Sequence, residues 1–478
     1  MSMTLAQLLE DPLLADAQIN DLVEDSRAVR AGDAFIAVAG DVSDGHLYVA
    51  EAVAAGAACV ISEREVDASV PLAVVENLRS KRGELAARFY GNPSADLTCA
   101  AVTGTNGKTS VAFHIAELAS LCGRRCGYMG TVGWGQVPDL KSAQLTTEVA
   151  CTLQRRLARL REDGCAWAAL EASSHALEQR RLDGVHIQVA VFTNLTRDHL
   201  DYHEDFEAYA RAKRRLFDFQ SVRCSVICCD DDYGAGLAEA LRARGDRVLT
   251  YGEDGDIRFV RHGGDATHQR GSLQTPWGSR DVVIPLLGCF SATNVMAAVG
   301  VLADAGMALD ALAGAIEKLT PVPGRLEQFP IRDGALLVVD FAHTPDALTK
   351  ALLALRPHCT SRLICVVGCG GDRDRGKRPQ MARAAELGAD VVWLTSDNPR
   401  SEDPAHIIDD MRAGLGGTGC VHECIDRRDA IQRAVTASVA GDVVLIAGKG
   451  HEDYQEVSGG RYAYSDRDVA RTLSGGRG

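Results

Sequence analysis

Short apolar runs alternate with Ala-rich stretches of helical spacing along most of the chain. Up to about Pro93, the predicted strands Ala34–Val38, Cys59–Ser62 and Ala73–Val75 are interleaved with helices, and Tyr90-Gly-Asn-Pro93 reads as a linker. A second block opens with the strand Leu97–Thr103 and alternates strand and helix as far as Thr320, with Ala166–Leu170 and Val189–Thr193 among its strands. Such alternation predicts a mostly parallel sheet. Thr320-Pro-Val-Pro-Gly-Arg325 then interrupts the pattern. The third block runs through the strands Ala335–Asp340, Arg362–Val367, Val391–Thr395 and Val443–Ala447, as in a smaller doubly wound, Rossmann-like domain. The expected fold is therefore α/β in three domains, residues 1–95, 96–326 and 327–478. No internal repeat or low-complexity tract interrupts it.

Composition narrows the function. The 478 residues carry a net charge of −14, which disfavours a general nucleic-acid surface but leaves room for a local basic site on a small anion. The first residues, MSMTLAQLLEDPLLADAQ, lack a basic leader and carry acids within their apolar stretch. No run reaches the roughly 18 apolar residues of a membrane span. The 15 cysteines include no CxxC pair, so buried thiols in a reducing cytoplasm are expected rather than disulfides or a zinc site.

The sharpest local signal is Gly104-Thr-Asn-Gly-Lys-Thr109, between the strand Leu97–Thr103 and a helical stretch Ser110–Leu121. Glycines there let backbone N–H groups curl round phosphate oxygens, and a helix N-terminus adds positive potential. Lys108 can reach terminal phosphates and the Thr109 hydroxyl can hold Mg²⁺. The strict GxxxxGK[ST] pattern fails at its first glycine, where Val102 stands.

With Val102 in that place, Thr103-Gly-Thr-Asn-Gly-Lys-Thr-Ser110 resembles the nucleotide loop of the Mur ligase family, ATP-dependent amide ligases of cell-wall synthesis. The resemblance continues, in order, through Gly130-Thr-Val-Gly133, Leu145-Thr-Thr147, Glu171-Ala-Ser-Ser-His175, Thr193-Asn-Leu-Thr-Arg-Asp-His-Leu-Asp-Tyr-His203, Pro323-Gly-Arg325 and Asp340-Phe-Ala-His-Thr-Pro-Asp346. In the third block, Gly371-Asp-Arg-Asp-Arg-Gly-Lys-Arg-Pro379, Asp397-Asn-Pro-Arg400 and Gly448-Lys-Gly-His-Glu-Asp-Tyr-Gln455 resemble the branch that adds meso-diaminopimelate.

Glu171 and His199 both follow predicted strands and should emerge at the sheet edge that carries the phosphate loop. The resemblance implies that Thr109, Glu171 and His199 hold Mg²⁺ around the ATP phosphates. Phe206, Tyr209, Lys213 and Phe217 recur at three- and four-residue steps, which sets Lys213 in an apolar stripe while Arg211, Arg214 and Arg215 point elsewhere. A buried amine tends to the neutral form that reacts with CO₂, although a snorkelling lysine is the commoner arrangement. The resemblance decides for the former and implies a carbamylated Lys213 (N6-carboxylysine) that binds Mg²⁺. Lys108, Lys213, Glu171 and His199 form the expected catalytic set.

For ATP, the resemblance implies contacts from Gly104, Thr105, Asn106, Gly107, Lys108, Thr109 and Ser110, and from Asn294, Arg325 and Asp340. Arg325 falls where the second and third blocks meet. The chain departs from the family at Cys289-Phe-Ser-Ala-Thr-Asn294, at Phe341 in place of a common tyrosine, and at Glu148 after Thr147. The UDP-sugar dipeptide is expected near Ser26 and the loop Asp41, Val42, Ser43 at its uridine end. Its dipeptide end is expected near Thr146, Thr147, Ser173, Gln179 and Arg181.

An acceptor amino acid with two ammonium groups and two carboxylates needs a site of both signs. Arginine forks suit carboxylates and glutamate suits ammonium. The resemblance assigns Arg373, Asp397, Asn398, Pro399, Arg400, Gly448 and Glu452 to diaminopimelate. Arg375, Lys377 and Arg378 crowd Arg373 as in a solvated basic loop, so Arg400 is the firmer assignment. The implied reaction joins meso-diaminopimelate to UDP-N-acetylmuramoyl-L-alanyl-D-glutamate through an acyl phosphate, in a cytoplasmic enzyme expected to be a monomer. Two rivals remain at this point. A nucleotide switch would need only the loop and Mg²⁺, and folylpolyglutamate synthase would share the loop but lack the first block and Asp397-Asn-Pro-Arg400.

Overall fold

The structure is a computed structural model, and it describes residues 3–40, 43–196, 202–265, 267–331, 334–417 and 419–475. The chain divides into two compact units. One contains the residues up to Arg258 together with Thr275–Gly278 and Asn294–Leu312; the other contains Phe259–Gln274, Ser279–Thr293 and Ala313–Gly478.

In the first unit, four short parallel strands, Leu22–Val23, Ala34–Ala37, Cys59–Ser62 and Leu72–Val74, pair in sequence order. The helix Leu78–Phe89 packs its Leu85, Ala86 and Phe89 into the same core as Ile36 and Ile61. The unit's main sheet has eight strands in the order Leu140–Lys141, Gly133–Gln136, Cys126–Gly130, Trp167–Glu171, Thr98–Thr103, Ile187–Phe192, Cys224–Cys228 and Val248–Tyr251. The six from Cys126–Gly130 onward are parallel, and the first two add an antiparallel edge. Thr98–Thr103 lies at the centre as an almost wholly buried apolar run, as a strand covered on both faces requires.

The second unit is built on a six-stranded sheet in the order Glu327–Pro330, Leu336–Asp340, Val443–Ala447, Leu363–Cys369, Val391–Ser396 and Cys420–Glu423. All but the first strand run parallel. A separate three-stranded sheet, Arg258–Gly264, Gln269–Thr275 and Gly278–Ile284, was not anticipated by the alternating pattern. Its first strand is largely solvent-exposed, so it carries little of the apolar run that marks a buried strand.

Cys59–Ser62 and Val443–Ala447 occur as expected, and the other expected strands occur with ends shifted by one or two residues. Among the described residues no helix is long and apolar enough to cross a membrane.

Candidate active site

The phosphate loop joins the central strand Thr98–Thr103 to the helix Lys108–Leu121, whose first turn begins two residues earlier than the apolar pattern indicates. Gly107 is in the left-handed region (φ 89°), and a Cβ there would come within 2.7 Å of Asn294 Oδ1. Asn294 therefore lies directly against the loop. From the next strand's end, Thr193 Oγ1 donates to the Asn106 carbonyl (2.6 Å), and Asn194 both donates to that carbonyl and accepts from the Asn106 N–H. Lys108 Nζ donates to the carbonyls of Gly104 and Thr105, both at 2.9 Å, which holds its ammonium over the loop.

Glu171, at the end of Trp167–Glu171, is only 1% exposed. It accepts from Thr109 Oγ1 (3.0 Å), Tyr128 OH (2.6 Å), the Thr131 N–H (2.8 Å) and Thr131 Oγ1 (3.2 Å). All of these donors are neutral, and a buried carboxylate is costly without a countercharge. Its oxygen pairs with the Thr109 hydroxyl in a hard-oxygen set that suits Mg²⁺. Among the described residues no group of three or more His, Cys, Asp and Glu side chains could hold a metal. An ion here would thus draw on hydroxyl, phosphate and water oxygens as well. His199 lies outside the described residues.

Lys213, on the helix Phe206–Arg214, is 1% exposed; its Nζ donates to the Gly104 carbonyl (2.7 Å) and lies 4.3 Å from the centre of the Tyr209 ring. Tyr209 OH is 3.1 Å from Thr105 Oγ1, which ties this helix to the phosphate loop. One part of the predicted stripe fails. Phe206 is 45% exposed, because it stands in the helix's first turn, while Tyr209, Lys213 and Phe217 are buried as expected.

On the same sheet edge, Thr147 Oγ1 donates to the Glu171 carbonyl (2.6 Å) and accepts from the Ser173 N–H. Thr146 Oγ1 accepts from Thr131 Oγ1. Arg181 donates to the Thr147 carbonyl (2.8 Å) and to Gln179 Oε1 (2.9 Å), so Thr146, Thr147, Ser173, Gln179 and Arg181 form one cluster. Burial pulls the Arg181 guanidinium below its usual range. Arg82, from the first block's helix, donates to the Gln179 carbonyl and pairs with Glu24. Ser26 is buried and donates to Glu51. Asp41 and Val42 lie outside the described residues, and the Ser43 carbonyl accepts from the Gly40 N–H. Glu148 forms a buried ion pair with Arg156 (2.9 Å), a structural use for that departure.

In the second unit, the loops after Val391–Ser396 and Val443–Ala447 meet. Gly448 has φ 120°, and a Cβ on it would lie 2.6 Å from Asp397 Oδ2. Buried Arg427 joins the two strand ends by donating to the carbonyls of Ser396 and Ala447, and it pairs with Asp466 (2.7 Å). Asn398 Nδ2 donates to Glu452 Oε2 (2.9 Å). Arg400 has its Nε 3.3 Å from Glu456 Oε2, and its Nη1 donates to the Gly371 carbonyl. Asp340 accepts from the N–H groups of Leu326 and Ala342, and burial raises its carboxyl while the Arg325 charge opposes this. Arg325 stacks 4.6 Å over Phe341.

Comparison with known proteins places the whole chain in a known framework. Residues 18–90 match the Mur ligase family catalytic domain, 102–302 the Mur ligase middle domain, and 324–450 the Mur ligase glutamate ligase domain. The chain is 45% identical over 479 residues to an Ectopseudomonas mendocina protein named UDP-N-acetylmuramoyl-L-alanyl-D-glutamate--2,6-diaminopimelate ligase, covering 98% of this chain and 97% of that one. This chain belongs to the Mur ligase family. A Pseudomonas syringae protein of the same name is 45% identical over 96% of this chain and 95% of its own. A solved structure of a ligase with this name superposes with a TM-score of 0.72 at 40% identity, covering 99% of each chain.

Within the Mur ligase frame, two groups of predicted residues come together: the loop with Asn294, Glu171 and Lys213 in the first unit, and Asp397, Asn398, Arg400, Gly448 and Glu452 in the second. Arg373 is exposed. Arg378, expected in a solvated basic loop with Arg375 and Lys377, is instead fully buried and bonded to Glu402 and Asp410. Its partners lie 24 and 32 residues away, beyond any local pattern. Sequence reasoning missed the braces Thr193 and Asn194, although both lie in a motif that carries the resemblance. It also passed over Lys449, between Gly448 and Glu452, and over Arg427 and Glu456.

Proposed function

We propose that this Mur ligase joins the amino group of meso-2,6-diaminopimelate to the D-glutamyl γ-carboxylate of UDP-N-acetylmuramoyl-L-alanyl-D-glutamate, with ATP converted to ADP and phosphate. The protein is an ATP-dependent ligase of peptidoglycan precursor synthesis. The observation that carries the choice of acceptor is the polar cluster in which Asn398 donates to Glu452 and Arg400 pairs with Glu456, in a chain 45% identical along nearly its whole length to ligases named for diaminopimelate.

The γ-carboxylate oxygen attacks the γ-phosphorus of ATP, the bond to ADP breaks, and an acyl phosphate forms. The acceptor amine then attacks the acyl carbon and phosphate leaves. Loop N–H groups and Lys108 bind the phosphates, with Lys108 countering charge on the transferred group. Thr109, Glu171, His199 and a carbamylated Lys213 would hold Mg²⁺, which supplies further charge neutralisation. That carbamate arises when the neutral Lys213 amine bonds to CO₂ and releases a proton. Thr147, Ser173, Gln179 and Arg181 orient the dipeptide, while Ser26 and the loop Asp41, Val42, Ser43 hold uridine. Asn294, Arg325 and Asp340 contact the nucleotide. Arg373, Asp397, Pro399 and Gly448 complete the acceptor site with Asn398, Arg400 and Glu452.

This reading includes domain borders near residues 95 and 326, a cytoplasmic location and a monomer, the last testable by light scattering. The decisive assay is phosphate release with ATP and a crossed set of acceptors. Release should require both the UDP-sugar dipeptide and diaminopimelate. Release with a folate and glutamate instead, or with neither amino acid, would overturn it.

A further inference from the structure

Lys449 stands between two assigned acceptor residues, yet its side chain is 0% exposed. Its Nζ donates to Asn398 Oδ1 (2.9 Å) and to Glu452 Oε2 (2.9 Å). Asn398 Nδ2 donates to that same Glu452 oxygen (2.9 Å), and Asn398 Oδ1 also accepts from the Glu456 N–H (3.0 Å). Lys449 and Glu452 follow the strand Val443–Ala447, and Asn398 follows Val391–Ser396, so one ammonium group joins two loops.

This bonding pattern distinguishes the two oxygens of Glu452. Oε2 already receives two donors, whereas Oε1 receives none among the described residues, and the side chain is 21% exposed. A fully buried ammonium is a poor source of stability, because its desolvation offsets most of what the pairing returns. Its value lies in fixing geometry. The ammonium restricts Glu452 and Asn398 to one arrangement and leaves Oε1 as the oxygen able to meet an incoming cation.

Resting on the acceptor assignment above, we propose that Lys449 is a positioning residue for the amino-acid acceptor. It acts through Glu452, saturating Oε2 and presenting Oε1 to an ammonium group of the acceptor. It touches neither the phosphates nor the reacting carbonyl, so its loss should weaken acceptor binding in the ground state and the transition state alike.

The test is a double-mutant cycle read in steady-state kinetics, with the KM of each of the three substrates measured separately. Lys449→Met should raise KM for diaminopimelate at least about tenfold, with kcat and the KM values for ATP and the UDP-sugar dipeptide within about twofold of wild type. On a Glu452→Gln background, adding Lys449→Met should change KM for diaminopimelate by less than about twofold, because the group through which Lys449 acts has lost its charge. The double variant removes both charges of the pair and leaves no unpaired buried carboxylate, so it remains informative if the single lysine variant does not fold. An unchanged KM in Lys449→Met, a loss on the Glu452→Gln background as large as in wild type, or a parallel rise in all three KM values would each overturn the proposal. A wild-type enzyme that does not use diaminopimelate would instead overturn the acceptor assignment.

Discussion

The phosphate-loop region and the proposed acceptor region handle charge in opposite ways. Around the loop, Lys108 and Lys213 donate to backbone carbonyls, and the carboxylate of Glu171 is held by hydroxyls and an N–H group. In the acceptor region the charges face one another: Lys449 with Glu452, Arg400 with Glu456, Arg378 with Glu402 and Asp410, and Arg427 with Asp466. The first arrangement suits a ligand of high negative charge that arrives with its own cation. The second suits a zwitterion of no net charge, for which charges of both signs are paired within the protein while single atoms of them stay open. Glu452 Oε1 and Arg400 Nη2 are such atoms, since neither has a partner among the described residues.

The largest expected effect breaks the first arrangement. Lys213→Ala should lower ligation by at least roughly 10²–10³-fold, the scale of losing a preorganised electrostatic group. Added short carboxylic acids should restore part of the rate by supplying the missing carboxylate. Near-normal turnover in the variant would remove the carbamate from the mechanism, and with it the view that this region relies on a bound cation.

Acid separates the two regions by a smaller amount. Burial, with Arg325 and Arg467 nearby, pulls His451 in the acceptor unit down from 6.5 to about 4. The folded unit therefore refuses a proton that the unfolded chain accepts. Its stability should be fully present above about pH 6.5 and fall as pH drops toward 4, by roughly 3 kcal/mol in all. Thermal unfolding of wild type and His451→Gln at neutral pH and near pH 5 measures this. The same acid-induced loss in the variant would show that other groups cause it.

The smallest effect sharpens the account of Arg400. Because Glu456 already pairs with this arginine, an acceptor lacking the distal carboxylate, such as lysine, does not leave it alone in the site. The discrimination it supplies should thus sit near the low end for a charge-assisted hydrogen bond, about 1.5 kcal/mol or roughly tenfold. Arg400→Ala should compress the ratio of kcat/KM for diaminopimelate over lysine by about that factor. An undiminished ratio would assign the discrimination to another residue, with Arg373 the first candidate.

Sequence alone determined the features that depend on near neighbours. The order of apolar runs and helical spacing specified parallel sheets, since a strand covered on both faces must be apolar throughout. Gly104 to Thr109 specified an anion loop, because glycine freedom and a helix N-terminus are local properties. The burial of Lys213 was legible in the spacing of Tyr209 and Phe217 on one helical face. What the tertiary structure decided were features set by partners distant along the chain. It buried Arg378 against Glu402 and Asp410, and it left Phe206 outside the stripe because the first turn of that helix faces water. It paired the sparsely apolar strand Arg258–Gly264 into a separate sheet. It also selected which atom of each charged group stays open: the residue type promises a carboxylate or a guanidinium, but Oε1 of Glu452 is available only because Lys449 and Asn398, arriving from two loops, both bond to Oε2.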